Sequence, residues 1–268
     1  MKKWKQTGPI ALSSIIFAFT LMMGCCPMSL HRARTHSSLT REIKEYRPGI
    51  LEGYFSKAQI PSSVIILPQP PAEGSPEWIL DQALAEQYLN SKDEKRKEMA
   101  ARDAELEFPE ATGAFNGVLD IDITEETTPM VYLILRRTMT DAALSTLQAK
   151  EYYQRPRPFM INGAPTCTPN SEKYLREDGS YPSGHTAIGW TWALILAELF
   201  PENADLILVR GREFGISRSV CNVHWHSDVL AGRMMGNAVV TRLHTDEDFL
   251  RDMIVAKAEI KKIRKKDL

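Results

Sequence analysis

The stretch from Gly179 to Thr186 reads Gly-Ser-Tyr-Pro-Ser-Gly-His-Thr and precedes a long apolar run. Ser183 is a good N-cap residue, so the sequence predicts that a helix begins here. The free N–H groups and positive dipole end of a helix favour an anion, and Gly184 leaves room for an oxygen to approach the backbone. We therefore predict an anion site with His185 beside it. A capped helix with an exposed histidine is the simpler alternative.

A second stretch, Lys-Glu-Tyr-Tyr-Gln-Arg-Pro-Arg-Pro, begins at Lys150 and carries Arg157 near its end. It lies where a predicted helix gives way to prolines. A lysine on the last helical turn and an arginine in the following extended segment can converge on one anion, the lysine as a point charge and the arginine as a bidentate fork. Read alone, the pair is better explained by cations that complement the helix dipole.

The third stretch runs from Ser217 to Asp228 and contains His224 and His226. His224 and Asp228 are four residues apart, so on a helix they would share a face, and the carboxylate could accept a hydrogen bond from one ring nitrogen while the other stays free. That arrangement prepares a nucleophile. A surface His/Asp pair is the alternative for this fragment. His226 points to a different face, and we interpret it as structural.

Together and in this order, the three stretches resemble the signature of the type 2 phosphatidic-acid phosphatase superfamily. Its pattern is Lys, six residues, Arg-Pro; then Pro-Ser-Gly-His; then Ser-Arg, five residues, His, three residues, Asp, and every position matches here. The longer run around Pro-Ser-Gly-His is similar to that of bacterial class A non-specific acid phosphatases. The likeness extends roughly from Val64 to Lys257, and the N-terminal part, with its Cys25-Cys26 pair, departs from it.

The resemblance implies an all-α fold, a single-domain helical bundle core of the kind found in these phosphatases and in vanadium haloperoxidases. It implies hydrolysis of phosphate monoesters through a phosphohistidine intermediate, with a broad range of small phosphorylated substrates and with phosphotransferase activity as an addition. Neither a metal nor a cofactor is implied. The histidine spacing also lacks the ligand cluster expected for zinc or a two-metal phosphatase.

The roles of individual residues also follow from the resemblance. His224 would attack phosphorus, Asp228 would orient it and stabilise the imidazolium, and His185 would protonate the leaving alkoxide and then deprotonate water. The phosphoryl oxygens would be bound by Lys150, Arg157, Arg218, Ser183 and the N–H of Gly184. Three fixed cations around a dianion would supply the electrostatic stabilisation that phosphoryl transfer requires.

Two enzymes of other kinds could use similar residues. A vanadium-dependent haloperoxidase holds vanadate in such a pocket, although this chain is short for one. A membrane lipid-phosphate phosphatase is the other alternative, but no segment after Met23 approaches 18 uninterrupted apolar residues. A non-catalytic phosphate-binding lipoprotein would need no pair like His224 and Asp228.

Helical patterns dominate the elements that must position these residues. Ser75-Pro76 and Thr128-Pro129 are helix-start signals, and strand signals are nearly absent. Val64 to Leu67, followed by prolines, is expected to be an extended, buried strap. The pattern predicts helices from Ser75, from Thr128 to about Tyr153, from Gly184 to Phe200, from Ala204 to Phe214 and from His224 to His244.

The N-terminus has the pattern of a secretory signal, with three lysines before an apolar run from Ile10 to Met23. Gly24-Cys25 loosely resembles a lipoprotein box, so we expect a periplasmic or exported protein with a lipid anchor at Cys25 as one form of attachment. The predicted organisation is a signal peptide at 1–25, a polar tether or arm at 26–60 and a catalytic domain at 61–268.

Composition narrows the class of partner. The 268 residues are 43% hydrophobic, enough for a proper core, and the formal net charge of −1 gives no basic field for nucleic acid.

An exported domain with one cysteine beside each of two phosphate-binding stretches predicts a disulfide between Cys167 and Cys221. We also expect a homo-oligomer.

Overall fold

The computed structural model describes residues 38–40 and 42–265, which belong to one compact unit spanning 35–268. The signal peptide and the lipid anchor at Cys25 predicted for the N-terminus lie outside the described residues. The helices are α1 (Ser63–Ile66), α2 (Pro76–Leu89), α3 (Glu94–Arg102), α4 (Gly113–Asn116), α5 (Pro129–Tyr153), α6 (Pro158–Asn162), α7 (Glu172–Leu175), α8 (Gly184–Leu199), α9 (Ala204–Val220), α10 (His226–Leu243) and α11 (Glu247–Arg264). Strands β1 (Glu45–Arg47) and β2 (Ile50–Leu51) pair antiparallel. The predicted all-α fold is confirmed.

Helix α8 forms the centre of the bundle and packs against α5, α9 and α10. Its side chains are mostly buried, including that of Trp192. A Cβ atom at Gly189 would lie 2.1 Å from the Phe214 ring of α9, and one at Gly232 of α10 would lie 2.5 Å from the Ser183 carbonyl oxygen. Because these glycines have no side chain, α8 packs closely against α9, and α10 packs closely against the N-cap residue of α8. No helix in the described part of the chain is long and apolar enough to cross a membrane.

Local cap chemistry fixes where the principal helices begin. The Ser75 side chain accepts a hydrogen bond from the N–H of Trp78 at 3.2 Å, and helix α2 starts at the next residue. Ser183 caps α8 in the same way, accepting from the N–H of Thr186 at 3.3 Å. Helix α5 begins with Pro129 at its first position. All three predicted helix starts are confirmed.

The extended strap predicted for Val64–Leu67 is wrong. Residues Ser63–Ile66 form the short helix α1, and Ile65 is 84% exposed rather than buried. The prolines that forbid a helix follow this segment and do not lie within it, so one helical turn fits before them. The buried hydroxyl of Ser63 accepts the N–H of Ala149 at 3.0 Å and thereby holds α1 against α5.

Helix α9 is longer than predicted, ending at Val220 instead of Phe214. No proline interrupts it, and the chain turns only at Asn222, whose φ of 61° lies in the left-handed region. The extension is functionally important because it places Arg218 on the last turn of α9, directly before the turn that leads to His224.

Part of the predicted arm packs on the helices through buried polar contacts. Asp252 of α11 accepts hydrogen bonds from the N–H of Ser38 at 3.0 Å and from the Tyr54 hydroxyl at 2.9 Å. The Arg137 guanidinium lies 3.6 Å from the centre of the Tyr54 ring, and Asp141 accepts the Tyr54 N–H at 2.8 Å. Burial raises the pKa of Asp141 to about 7. The domain boundary at residue 60 stays a prediction.

Candidate active site

The loop before α8 is fixed to the first turn of α10 and to the segment that follows α5. The N–H of Ser183 donates to the carbonyl oxygen of Asp228 at 3.0 Å, and the N–H of Ser180 donates to the carbonyl oxygen of Arg155 at 2.9 Å. Gly184 is the first residue of α8, where a backbone N–H has no acceptor within the helix. A Cβ at Gly184 would lie only 3.9 Å from Cε of Lys150, so this helix end faces the lysine.

Lys150 and Arg157 converge as their spacing predicted. Lys150 lies in the last turn of α5, and Arg157 is the N-cap residue of α6. Lys150 Nζ donates to Asp178 Oδ2 at 2.8 Å, and Arg157 Nη2 donates to the same oxygen at 3.1 Å. Lys150 Nζ also donates to the carbonyl oxygen of Gly179. Two buried cations therefore meet at one carboxylate oxygen.

Arg218 is the third cation and carries donors that no protein atom uses. Its side chain is buried, and its Nε and Nη1 atoms have no hydrogen-bond partner among the described residues. Guanidinium nitrogens can only donate, and leaving buried donors unpaired costs free energy. Its backbone carbonyl accepts the N–H of Val223 at 3.1 Å and of His224 at 3.2 Å, which fixes the loop after α9. The side-chain nitrogens Nε and Nη1 of Arg218 are therefore the donors best placed to bind an anion.

His224 and Asp228 contact each other, but they do not share a helix face. Helix α10 begins at His226, so the prediction that a helix from His224 carries both is wrong. Trp225 takes the N-cap position instead, and its N–H donates to Asp228 Oδ2 at 2.9 Å. This turn brings His224 Nδ1 to 3.4 Å from Asp228 Oδ2.

The partners of His224 fix the tautomer of its ring. Arg157 Nη1 lies 3.1 Å from His224 Nε2. A guanidinium can only donate, so Nε2 is the acceptor and Nδ1 carries the proton that faces Asp228. The lone pair of Nε2 is thus directed toward the cations.

His185 occupies the second position of α8, as predicted. Its Nε2 lies 3.0 Å from the carbonyl oxygen of Ala104, which can only accept, so Nε2 carries a proton and Nδ1 is the nitrogen free to exchange one. Burial and the neighbouring charge of Arg218 lower the pKa of His185 well below its ordinary value.

Burial and positive charge shift the other titratable groups of the site. Burial, then Arg157, lowers the pKa of His224 well below its ordinary value, so the ring is neutral at neutral pH. The same two causes lower the pKa of Lys150 to about 8. Burial raises the pKa of Asp228 while Arg155 lowers it. The three cations thus form a positively charged pocket around a neutral imidazole.

Three residues that the sequence did not single out belong to the same network: Asp178 and Arg155 contact predicted site residues, and Asp81 contacts Arg155. Asp178 joins Lys150 and Arg157, and Arg155 donates to Asp228 Oδ1 at 2.6 Å. Asp81 of α2 accepts from Arg155 at 2.8 Å. Arg155 lies within the stretch that begins at Lys150, and Asp178 directly precedes the stretch that begins at Gly179. Their positions next to predicted site residues could have identified them as candidates. Asp81 is 74 residues from Arg155, and no local pattern connects them.

The disulfide predicted between Cys167 and Cys221 is present, with the two Cα atoms 4.8 Å apart. It joins the segment after α6 to the end of α9.

His226 lies outside the cluster of predicted site residues and is half-buried. It is the first residue of α10, whereas His224 precedes that helix. Among residues 38–40 and 42–265, no group of three or more histidine, cysteine or acidic side chains could hold a metal ion.

Comparison with known proteins shows the family to which the chain belongs. The model of the PAP2 superfamily matches residues 129–251, which include all of the predicted phosphate-binding and catalytic residues. A non-specific acid phosphatase of Providencia stuartii is 41% identical over 213 residues, 79% of this chain and 86% of that protein. An acid phosphatase of Zymomonas mobilis is 37% identical, covering 75% of this chain and 76% of that protein. A non-specific acid phosphatase of Salmonella typhimurium is 36% identical, with coverages of 78% and 84%.

Proposed function

The chain belongs to the non-specific acid phosphatases of the PAP2 superfamily, and on that basis we propose that it hydrolyses phosphate monoesters without a metal, through phosphorylation of His224. One observation carries the proposal: His224 Nε2 accepts from Arg157 while Nδ1 faces Asp228. The neutral ring therefore carries its proton on Nδ1 and keeps Nε2 unprotonated beside the cations, and a bound phosphoryl group would draw Arg157 Nη1 away from that lone pair before Nε2 attacks.

In the first step, His224 Nε2 forms a bond to phosphorus and the phosphorus–oxygen bond to the leaving group breaks. The electron pair remains on the leaving oxygen, which takes a proton from His185 Nδ1. The phosphorylated imidazole is positively charged, and the Asp228 carboxylate stabilises it through Nδ1–H. The lowered pKa of His224, caused first by burial, favours the unprotonated nucleophile.

In the second step, His185 takes a proton from a water molecule while the water oxygen attacks phosphorus. The phosphorus–nitrogen bond then breaks, which releases phosphate and restores His224. An alcohol in place of water would give phosphotransferase activity by the same chemistry. Burial and Arg218 lower the pKa of His185, so the ring is protonated only at more acidic pH. The negative charge of a bound phosphoryl group stabilises this protonated form. This charge balance supports an acidic optimum.

The phosphoryl oxygens would be bound by donors of the cations that surround His224. Arg218 Nε and Nη1 are unpaired and buried, and the Gly184 N–H at the start of α8 adds the helix dipole. Lys150 and Arg157 contribute the other two positive charges. The Ser183 hydroxyl caps α8 and also accepts a hydrogen bond from the Thr186 hydroxyl at 2.9 Å, which fixes its position next to Gly184. Preorganised donors of this kind stabilise charge that develops in the transition state.

The disulfide supports export to an oxidising compartment, which we propose for this protein. Attachment through a lipid at Cys25 and assembly into a homo-oligomer stay predictions. The breadth of the substrate range is likewise a proposal, drawn from the names of the relatives.

The function is tested by assaying purified protein with 4-nitrophenyl phosphate and with an alkyl phosphate, before and after dialysis against EDTA. We expect phosphate release at acidic pH that EDTA leaves unchanged. Absence of phosphate release from both esters would contradict the proposal. So would activity that EDTA abolishes and a divalent cation restores.

A further inference from the structure

Arg155 occupies a buried position between two carboxylates that come from different helices. Its Nη1 donates to Asp228 Oδ1 at 2.6 Å and to the Ser227 hydroxyl at 2.7 Å. Its Nη2 donates to Asp81 Oδ2 at 2.8 Å. The exposed fractions are 9% for the Arg155 side chain, 1% for Asp81 and 0% for Asp228. Such short, water-excluded ion pairs are strongly directional.

The two oxygens of Asp228 have separate partners. Oδ1 accepts from Arg155, whereas Oδ2 accepts the N–H of Trp225 and faces Nδ1 of His224. Arg155 therefore restricts rotation of the carboxylate and leaves Oδ2 in the plane where the imidazole needs it. Its charge also compensates the burial of the carboxylate, which would otherwise favour the protonated form.

Asp81 fixes Arg155 in turn. Its Oδ1 accepts the N–H of Ser227 at 2.8 Å and its Oδ2 accepts the Ser227 hydroxyl at 2.6 Å, so Asp81 is itself held at the start of α10. The Arg155 guanidinium also lies 5.5 Å from the centre of the Trp225 ring. With both terminal nitrogens engaged by carboxylates, Arg155 differs from Arg218, whose Nε and Nη1 have no acceptor among residues 38–40 and 42–265.

We propose that Arg155 is a positioning residue for phosphoryl transfer: it holds Asp228 ionised and oriented toward His224, and Asp81 anchors it there. This inference rests on the proposed function, because it assigns a role within that reaction. It predicts that Arg155 contributes to kcat and not to phosphate binding.

The test compares Arg155→Gln, which removes the charge, with Arg155→Lys, which keeps it. For Arg155→Gln we expect kcat to fall about 10- to 100-fold, while the inhibition constant for inorganic phosphate changes less than about threefold. Arg155→Lys should lose less activity. Arg137→Met is the matched control, since Arg137 is a buried arginine paired with Asp252. It should lower thermal stability and leave kcat near the wild-type value.

A pH profile separates positioning from general destabilisation. The charged and titratable groups around Asp228 are Arg155, His224, Tyr181, Lys150, Arg157 and, through Ser227, Asp81. Removing the adjacent cation raises the pKa of Asp228, so activity that needs the carboxylate should be lost at a higher pH as the solution is acidified. The acid limb should shift upward in Arg155→Gln and not in Arg155→Lys.

The proposal is overturned if Arg155→Gln keeps the wild-type kcat and acid limb, or if its phosphate inhibition constant rises in step with the loss of kcat. Should Arg155→Gln fail to fold, Asp81→Asn supplies the same test with a smaller change, and an unchanged kcat in that variant also counts against the proposal. If the wild-type protein does not hydrolyse phosphomonoesters, the proposed function fails instead. The two failures are therefore distinguishable.

Discussion

Lys150 Nζ lies 2.8 Å from Asp178 Oδ2, so a cation assigned to phosphate is paired with a carboxylate of its own chain. The same oxygen contacts Arg157. The lysine and arginine side chains are nearly inaccessible, whereas that of Asp178 is 47% exposed. Asp178 therefore places a carboxylate against the two cations on their solvent side. An incoming phosphoryl group must share these two cations with the carboxylate or displace it.

Replacing Asp178 with Asn should tighten phosphate binding, because it removes a negative charge that repels the dianion and competes for its donors. We expect the inhibition constant for inorganic phosphate to fall about threefold to tenfold, an effect of about 1 kcal/mol for removing one partly exposed charge. Glu177→Gln removes the same charge from the preceding exposed residue and should change the constant little. A weaker affinity for phosphate in Asp178→Asn would mean that Asp178 orients the cations rather than competing with substrate.

Arg218→Met should damage the reaction more than any other change to a single cation, because its Nε and Nη1 have no acceptor within the described part of the chain and could both donate to phosphoryl oxygens. Loss of one preorganised donor typically costs about 10² to 10³ in kcat. Steady-state kinetics with 4-nitrophenyl phosphate measures this. Arg212→Met, at an exposed position of the same helix, is the control. Equal activity in the two variants would remove Arg218 from the phosphate site.

His185→Ala should be most harmful for esters with poor leaving groups. An alkoxide needs the proton that His185 supplies, whereas nitrophenolate is already stable as an anion. General acid catalysis is worth about 10² to 10⁴, so the defect in phosphoenzyme formation should grow toward that size as leaving-group pKa rises. Single-turnover quenching across a series of phenyl and alkyl phosphates gives the dependence. A uniform defect across the series would show that His185 is not the proton donor.

Opening the Cys167–Cys221 bridge should weaken the fold and leave the chemistry in place. The bridge closes a loop with a sequence separation of 54, for which the chain-entropy model gives about 4 kcal/mol as an upper figure. Urea unfolding of the Cys167→Ser, Cys221→Ser double variant measures the loss of free energy of unfolding. The reduced wild-type protein should show the same loss. An unchanged unfolding midpoint would mean that the bridge does not contribute to stability.

The sequence predicted features that depend on local chemistry and failed where distant contacts decide. Ser75, Pro129 and Ser183 mark helix starts through caps or ring geometry that a few residues determine. The short helix at Ser63–Ile66 depends in part on a hydrogen bond to Ala149, which no local pattern reveals.

The candidate site follows the same division. Three stretches of sequence contain the residues predicted to bind phosphate and to act in catalysis, and the structure brings these residues together. The turn at Trp225, which replaces the expected helix between His224 and Asp228, depends on the Asp228 carboxylate accepting a backbone N–H. The anchoring of Arg155 by Asp81 depends on packing of α2 against α10, and the sequence separates those helices widely.

The covalent intermediate on His224 is the central claim, and rapid quenching with radiolabelled phosphomonoester tests it most directly. The wild-type protein should form an acid-labile, base-stable phosphoenzyme within one turnover, and mapping should place the label on His224. His224→Ala should trap no label and should lose turnover for every ester. Label on another residue, or covalent labelling of His224→Ala, would contradict the account.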